Sequence, residues 1–305
     1  MHAVFGLRYQ QTILHQFEQR QKKTFGLVRS SGALAAPYPF VLYSDLYAHR
    51  DFVRALVNAG FSGLLWCPEV RDAESEEDLI RRLETVVFSP LAMVNAWYIK
   101  NPPWKQLNQD KNNAGELGAN WHALEARCRT ILEWRMQLIP YLESAFLRYE
   151  RDGTPPFRAL ILDYPDDDAL RGVDDAYMMG DRMLVAPMFA GENGRTLTVP
   201  SGTWHDFWTG MLVQGGRRIE IPAATEKIPV YVKSGSVLPL AGIGDSTASA
   251  EANQWTVQVY GDGSLPWSRD GSNGPSLRWD DAKKSGVWSG KQSTVTIRVW
   301  KQMPS

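Results

Sequence analysis

Hydrophobic positions in the first half of the chain follow two alternating patterns. An amphipathic helix is predicted over about residues 1–21, and four short apolar runs then alternate with segments of helical spacing. Single amphipathic helices between short buried strands are typical of parallel β/α units. The predicted strands are Thr24–Val28, Pro39–Tyr43, Gly63–Trp66 and Leu91–Val94.

Three further helices are predicted in this half. One begins near Arg50 and ends at Gly60, and the next follows Ser75, whose hydroxyl is suited to cap a helix. The longest runs from Trp121 to about Arg151, where apolar residues recur at helical spacing. Pro140 lies inside it and is expected to kink or split it, because proline removes a backbone donor.

The pattern changes after Asp152 to short alternating or β-branched runs that Gly, Pro, Asn and Asp clusters separate. The Gly-, Ser- and Ala-rich stretch Ala241–Ala252 is interpreted as a linker. We therefore predict an α/β region over 1–152, a proximal β domain over 153–242 and a distal β domain over 243–305. The predicted β runs are Phe157–Leu162, Leu184–Phe189, Leu197–Val199, Arg218–Ile221, Val230–Val232, Trp255–Tyr260 and Val295–Val299.

Charge and composition narrow the function classes. The 33 Lys and Arg residues balance 34 Asp and Glu residues, so the chain has no net field to attract nucleic acid. The longest apolar runs are too short to span a membrane, and no targeting signal is found. The compartment is left open, with the cytoplasm slightly favoured. Cys67 and Cys128 lack metal or disulfide spacing and are predicted to be buried thiols, and no cofactor or metal is expected.

Several blocks of the second half occur in a recognisable order. The segment Tyr177–Phe189, YMMGDRMLVAPMF, resembles the YxxGDxLLVAP signature of glycoside hydrolase family 31, the α-glucosidase family. The resemblance implies a TIM (β/α)8 barrel followed by two β-sandwich-like domains. It also implies retaining hydrolysis of terminal α-linked glucosides or related α-glycosides without a cofactor. Further blocks that resemble the family are Leu138–Leu142, Gly153–Arg158, Tyr164–Asp167, Pro200–Gly210 and Ile228–Pro239.

The resemblance also assigns site residues in the first half. Asp45 falls at the position of the family's general acid/base, and Arg29 at that of a substrate-binding arginine. Glu69 stands where the family has an aspartate, and Asn95 stands where it has a sugar-binding histidine. Substrate binding is therefore predicted for Arg29, Glu69 and Asn95. Structural roles stay open for three of these residues: a helix cap for Asp45, a buried ion pair for Arg29 and an exposed loop charge for Glu69.

Aromatic residues add two candidates for sugar binding. The chain has 12 Trp residues, whose apolar faces suit sugar rings as well as ordinary cores. Trp66 and Trp97 lie at the ends of predicted strands and are candidates to stack on a sugar, although packing is expected for most of the others. A carbohydrate substrate is thus the expected ligand.

One family motif has no counterpart. The nucleophile of the family lies in a WxDMNE-like motif before the position of Arg29, and Phe5–Tyr9 resembles the YGxxY segment just after that motif. The resemblance therefore implies about barrel strands five to eight, with an N-terminal fragment needed to complete the barrel. The isolated chain is expected to be inactive. The alternatives are a noncatalytic fragment that binds carbohydrate or a partner, and a reading frame truncated at an internal Met.

Four barrel strands on their own expose two edges and an inner face. We expect that face to carry Leu27, Val41, Leu65 and Val94 in contact with water. Residues 1–110 are accordingly expected to unfold separately from the β region.

Overall fold

A computed structural model of the chain describes residues 2–43, 45–223, 227–252, 254–261, 267–268, 276–280, 283, 285–289 and 295–300. The helices of these residues are α1 His2–Glu18, α2 His49–Ala59, α3 Glu76–Val87, α4 Gln109–Ala114, α5 Trp121–Asp152, α6 Leu160–Asp163 and α7 Thr247–Ala252. Among the described residues, no helix is long and apolar enough to cross a membrane.

The strands of the same residues are short. They are β1 Gly26–Val28, β2 Phe40–Leu42, β3 Glu69–Val70, β4 Met93–Val94, β5 Phe157–Ala159, β6 Tyr177–Met179, β7 Met183–Val185, β8 Arg195–Val199, β9 Thr203–Asp206, β10 Leu212–Gln214, β11 Arg217–Ile221, β12 Val230–Lys233, β13 Ser236–Leu240, β14 Trp255–Tyr260, β15 Trp267–Ser268, β16 Ser276–Asp280, β17 Ser285–Ser289 and β18 Val295–Trp300.

Four extended segments of the α/β region run parallel in the order of the sequence. β1 pairs with β2, and β3 pairs with β4, in parallel. A parallel bridge between Leu42 and Trp66 joins β2 to the third segment. Leu42 donates its N–H to the carbonyl of Leu65 and accepts the N–H of Cys67. The predicted parallel β/α arrangement is therefore confirmed for this region.

All four strands are shorter than predicted, and β1 and β2 each contain three of the five predicted residues. The run Gly63–Trp66 pairs only through Trp66, and the strand itself is β3, beyond Pro68, which has no N–H to donate. The run Leu91–Val94 contributes only its last two residues to β4.

Helix α3 packs against β3 and α5, and helix α2 packs against β5. α2 buries Phe52, Val53, Leu56 and Val57. At the start of α3, the hydroxyl of Ser75 accepts the N–H of Asp78 at 3.1 Å, as predicted. This cap satisfies a backbone donor that has no partner within the helix.

Helix α5 connects the α/β region to the β region. It is assigned as one helix over 32 residues with Pro140 inside it, so the expectation of a split is wrong. It packs against α3 on one side and against β13 on the other. The helix ends at Gly153, which adopts a left-handed conformation with φ 78° and donates its N–H to Tyr149.

The β region after α5 has two layers. One is an antiparallel six-stranded sheet in the order β10-β9-β12-β7-β6-β5, and the other is the antiparallel pair β8 and β11. Leu197 and Ile221 of the pair are buried in one cluster with Met178 and Leu184 of the sheet. This packing is sandwich-like, as expected.

Three β-region predictions need correction. The run Phe157–Leu162 is a strand only to Ala159 and then turns into α6, and the run Leu184–Phe189 is a strand only to Val185. The predicted linker Ala241–Ala252 contains α7.

The distal sheets begin before the predicted boundary at residue 242. β13 pairs with β14, and β14 pairs in turn with β18, while β15, β16 and β17 form a second three-stranded sheet. Val237, Val257 and Leu277 pack in one cluster between these strands. Because β13 lies in the predicted proximal domain, sheet pairing crosses that boundary.

The largest buried cluster also crosses the predicted boundaries. It contains Phe52 of α2, Leu83 of α3, Leu138 of α5, Val185 of the six-stranded sheet and Tyr260 of β14. A continuous core of this kind joins the three predicted regions by packing.

The predicted inner face is only partly exposed. Val41 and Leu65 are buried in a small cluster with Cys67, against which Phe146 and Tyr149 of α5 pack. The expectation that Val41 and Leu65 contact water is therefore wrong, because α5 reaches over them. Val94 is half-buried, and Leu27 is 43% exposed, as expected.

The two cysteines are buried and free, as predicted. Burial raises the pKa of Cys67 and that of Cys128 to about 12, so both thiols are protonated at neutral pH.

Candidate active site

The candidate residues lie at the carboxyl ends of the parallel strands. Arg29 follows β1 directly and Asp45 lies just beyond β2. Glu69 lies three residues beyond Trp66, which pairs with Leu42, so Glu69 stands level with Asp45. Asn95 follows β4 and donates its backbone N–H to Val70 at 2.8 Å, which extends the pairing of β3 with β4. Carboxyl ends of parallel strands meet at one edge, where TIM barrels place their chemistry. The fold therefore brings these four residues to one edge.

Arg29 and Asp45 form a two-pronged ion pair. Nη1 of Arg29 lies 2.5 Å from Oδ2 of Asp45, and Nη2 lies 2.9 Å from Oδ1. The phenol of Tyr47 donates to the same Oδ1 at 2.6 Å. Both charged side chains are more than half exposed, so the pair is open to solvent and is not the buried ion pair considered from the sequence.

This pairing fixes the ionisation state of Asp45. The hydrogen bonds from Arg29 and then Tyr47 lower the pKa of Asp45 to about 2. A general acid needs the opposite shift, because it must carry a proton near neutral pH. In this structure Asp45 is a carboxylate, and its pKa is not raised as a general acid/base would require.

Glu69 is a buried carboxylate with two partners. Its Oε1 accepts the phenol of Tyr43 at 3.0 Å and the Nδ2 amide of Asn95 at 3.1 Å, and its residue is only 3% exposed. The open alternative of an exposed loop charge is therefore wrong. Tyr43 also lies under the guanidinium of Arg29, whose Cζ is 4.8 Å from the ring centre. Tyr43 thus joins the Arg29–Asp45 pair to the Glu69–Asn95 pair in one cluster.

The two candidate tryptophans have different surroundings. Trp97 is 79% exposed and contacts Tyr98 edge to face, with ring centres 5.7 Å apart. Its indole is available to stack on a ligand. Trp66 is buried in the main core, so the prediction that it stacks on a sugar is wrong.

Sequence reasoning missed Arg71 and three tyrosines at this edge, Tyr43, Tyr47 and Tyr98. The guanidinium of Arg71 lies between the rings of Tyr47 and Tyr98, with its Cζ 4.7 and 5.0 Å from the ring centres. Tyr98 donates to the carbonyl of Arg71 and to Asp72. The available signal was spacing: Tyr47 and Arg71 each lie two residues beyond a candidate carboxylate, and alternate residues of an extended chain share a face.

The described part of the chain contains no group of three or more His, Cys, Asp or Glu side chains that could hold a metal ion. The side-chain groups at this edge are carboxylates, phenols, an amide and guanidinium groups.

Comparison with known families agrees with the order of the two regions. Residues 1–145 match the TIM-barrel domain of glycosyl hydrolase family 31, and residues 153–238 match the C-terminal domain of the same family. The chain belongs to glycoside hydrolase family 31. The resemblance carried by Tyr177–Phe189 and the other blocks is thereby confirmed.

Relatives in family 31 are much longer than this chain. An isomaltosyltransferase of Sporosarcina globispora is 35% identical over 186 residues, which are 56% of this chain and 17% of the relative. An alpha-glucosidase of Saccharolobus solfataricus is 33% identical over 116 residues, which are 38% of this chain and 16% of the relative. The chain therefore matches about a sixth of the length of these relatives.

Solved family 31 structures share the fold. A dextranase of Flavobacterium johnsoniae in complex with isomaltotriose matches with a TM-score of 0.70 and 21% identity, over 92% of this chain and 35% of the dextranase. An alpha-xylosidase of Xanthomonas citri matches with a TM-score of 0.64 and 22% identity, over 86% of this chain and 32% of the xylosidase. At such identities the similarity shows the fold alone.

The most specific family blocks join the two regions. Tyr141, in the block Leu138–Leu142, donates its phenol to the carbonyl of Met179 and accepts the N–H of Arg182. Tyr177 donates to the carbonyl of Phe88 at the end of α3. These contacts hold the β6–β7 hairpin against α5 and α3, which gives the signature residues a structural role.

Proposed function

We propose that this chain supplies the acid/base side of a retaining α-glycosidase site that acts on terminal α-linked glucosides or related α-glycosides. The observation that carries the proposal is the convergence of Arg29, Asp45, Glu69 and Asn95 at the carboxyl ends of four parallel strands. Asp45 would protonate the leaving oxygen and then activate water. Arg29, Glu69, Asn95 and the exposed indole of Trp97 would hold the sugar.

The state of Asp45 explains why this role needs more of the barrel. Retaining enzymes use two carboxylates about 5–5.5 Å apart. A second carboxylate near Asp45 would oppose its ionisation and compete for Arg29, and both effects raise the pKa of Asp45. The negative charge of the proposed nucleophile would therefore also allow Asp45 to hold a proton, taken from solvent, nearer to neutral pH.

The number of parallel strands also supports the need for a second polypeptide to complete the barrel. A TIM barrel has eight strands, whereas the described α/β region contains four extended segments. We propose that these correspond to about barrel strands five to eight. A polypeptide carrying the preceding strands would complete the barrel by pairing at β1, beside the exposed side chains of Phe25 and Leu27.

A second function is favoured by the salt bridge itself. Because Arg29 keeps Asp45 ionised, the edge as it stands suits binding of sugar hydroxyls better than proton transfer. A noncatalytic carbohydrate-binding role is the second candidate.

Turnover of nitrophenyl α-glucoside, α-xyloside and α-galactoside tests the proposal. The chain is assayed alone and with a separate polypeptide carrying the four preceding barrel units of the Saccharolobus solfataricus alpha-glucosidase. We expect turnover only from the mixture, reduced about 10²- to 10⁴-fold by Asp45→Asn, as for loss of a general acid/base. Asp168→Asn is the matched control, because Asp168 forms an exposed ion pair with Arg171 outside the site.

Two results would contradict the proposal. Binding of the second polypeptide without turnover would favour the noncatalytic role. Turnover by the chain alone that Asp45→Asn abolishes would mean that the nucleophile lies within this chain, with Glu69 as the first residue to substitute.

A further inference from the structure

A cleft of about 210 Å³ opens between the segment that follows β4 and the first turns of α3 and α5. Its walls include Glu76 at the start of α3, Trp104 and Lys105 of the segment after β4, and Asn120 and Trp121 at the start of α5. α3 begins shortly after β3 ends. The cleft therefore lies toward the same edge of the sheet as Glu69 and Asn95, but it shares no residue with that cluster.

Two indoles give this cleft apolar surfaces. Trp104 and Trp121 are both half-buried, and Nε1 of Trp104 donates to Glu125 at 3.3 Å, which fixes the orientation of its ring. Trp121 stacks on His122 on one side, and Nζ of Lys105 lies 4.6 Å from its ring centre. Lysine side chains are flexible, so a ligand can replace the ammonium at that ring.

Hydrogen-bonding groups complete the lining. Oε2 of Glu76 lies 3.4 Å from Nδ2 of Asn120, at the limit of a hydrogen bond, so both groups keep capacity for ligand hydroxyls. Lys105 lies 3.8 Å from Glu125, and this pairing leaves the cleft without an excess of positive charge. An anionic ligand is therefore disfavoured relative to a neutral one.

The segment that forms the outer wall is held in shape without a ligand. Asn112 is fully buried, and its side chain accepts the N–H of Asn101 at 2.7 Å and donates to the carbonyls of Asn101 and Gln106 at 2.9 Å. Gly118 donates its N–H to the carbonyl of Lys105 at 2.7 Å. A wall braced in this way loses little conformational entropy on binding.

We propose that this cleft is a second binding site, for one ring of a neutral saccharide. Indole faces next to a carboxylate and an amide match a sugar ring, which has apolar C–H faces and hydroxyls on its rim. The site goes beyond the proposed hydrolysis, because binding there requires neither Asp45 nor completion of the barrel. A saccharide held there would be kept close to the edge at which hydrolysis is proposed.

Isothermal titration of the full chain with maltotriose tests this site. We expect saturable binding in the millimolar range that Trp104→Ala weakens at least about tenfold, since stacking supplies much of such affinity. Phe61→Ala is the matched control, because Phe61 is an exposed aromatic residue outside both sites and should change the affinity less than about twofold. Loss of binding in Trp97→Ala alone would instead place the maltotriose at the candidate active site. Sorbitol, an acyclic polyol without a ring face, should not compete.

A second variant covers the case in which Trp104→Ala fails to fold. Asn120 is exposed, so Asn120→Ala should keep the unfolding temperature while weakening maltotriose several-fold. The proposal is overturned if maltotriose does not saturate the chain, if Asn120→Ala and Trp104→Ala bind normally, or if only Trp97→Ala loses binding. Failure of the mixed polypeptides to hydrolyse glycosides would leave these binding results unchanged, so the two proposals fail separately.

Discussion

At the residue scale, the neighbours of Asp45 decide what its carboxylate can do. Arg29 and Tyr47 direct three hydrogen bonds at it, and each favours the charged form. The carboxylate is exposed, so solvent screening limits what this pairing contributes to stability. Its consequence is chemical: the proton that a general acid needs is absent at neutral pH.

Arg29→Met should raise the pKa of Asp45 from about 2 toward its ordinary value of 3.8, because the largest cause of the lowered pKa is removed. The bond from Tyr47 remains and keeps the shift incomplete. A carboxyl with a lowered folded-state pKa stabilises the fold above its unfolded pKa and loses that contribution as the pH falls toward 2. The variant should lose stability less steeply than the parent between about pH 4 and 2.

Carbon NMR titration of the Asp45 carboxyl measures this shift directly. Arg171→Met is the control, because it breaks the exposed pair with Asp168 and should leave the Asp45 titration unchanged. An identical midpoint in Arg29→Met and the parent would show that the ion pair does not form in solution.

At the element scale, the β6–β7 hairpin depends on a close approach to α5. Gly180, in the turn between the two strands, has φ 59°, and a Cβ there would collide with the phenol of Tyr141. That phenol bonds Met179 and Arg182 on either side of the turn, so it cannot move without breaking both bonds. A glycine at this position of the YxxGD block is therefore required by conformation and by space.

Gly180→Ala should destabilise the chain by about 2–4 kcal/mol. This cost has two causes, the displacement of Tyr141 by the new Cβ and the strain of an alanine in the left-handed conformation. Gly191→Ala separates the two effects, because Gly191 also has a positive φ, of 75°, but has open space around it. It should lower the unfolding free energy by only about 1 kcal/mol. Urea denaturation measures both, and equal losses would show that Tyr141 yields without cost.

At the scale of the whole molecule, one core joins regions that the sequence separates. Helix α5 packs on α3 and on β13, and the largest buried cluster runs from Phe52 to Tyr260. Helix α1 contributes no residue to this cluster, its Phe5 and Tyr9 are exposed, and its Gln10 and Gln11 bond Ser30 and Tyr38. The part of the chain that we expect to unfold most easily is therefore smaller than residues 1–110, the range predicted from the sequence.

Hydrogen exchange followed by mass spectrometry should reveal this division. We expect amides of residues 49–87 to be protected together with those of residues 157–240, because they share a core. Amides of residues 2–28 should exchange fast, and should slow when a polypeptide that completes the barrel pairs at β1. Fast exchange throughout residues 49–87 would instead support the separate unfolding expected from the sequence.

Much of the site could be predicted from the sequence, because its residues follow strands whose apolar runs are visible. The family resemblance assigned Arg29, Asp45, Glu69 and Asn95, and the apolar runs showed only that each follows a predicted strand. The error at Trp66 has a physical cause: the end of a predicted strand does not tell which face a side chain takes, and this indole is directed into the core.

The sequence by itself determined the parallel β/α order, the change to β structure after Asp152 and the family, since local periodicity and contiguous motifs carry them. Only the tertiary structure decided the ionisation of Asp45, the burial of Glu69 and the cover that α5 gives to Val41 and Leu65. Each of these depends on side chains that are distant in the sequence or on the position of a helix relative to the sheet, which no local pattern specifies. Periodicity specifies which face of an element is apolar, but the partner of that face is fixed only when the chain folds.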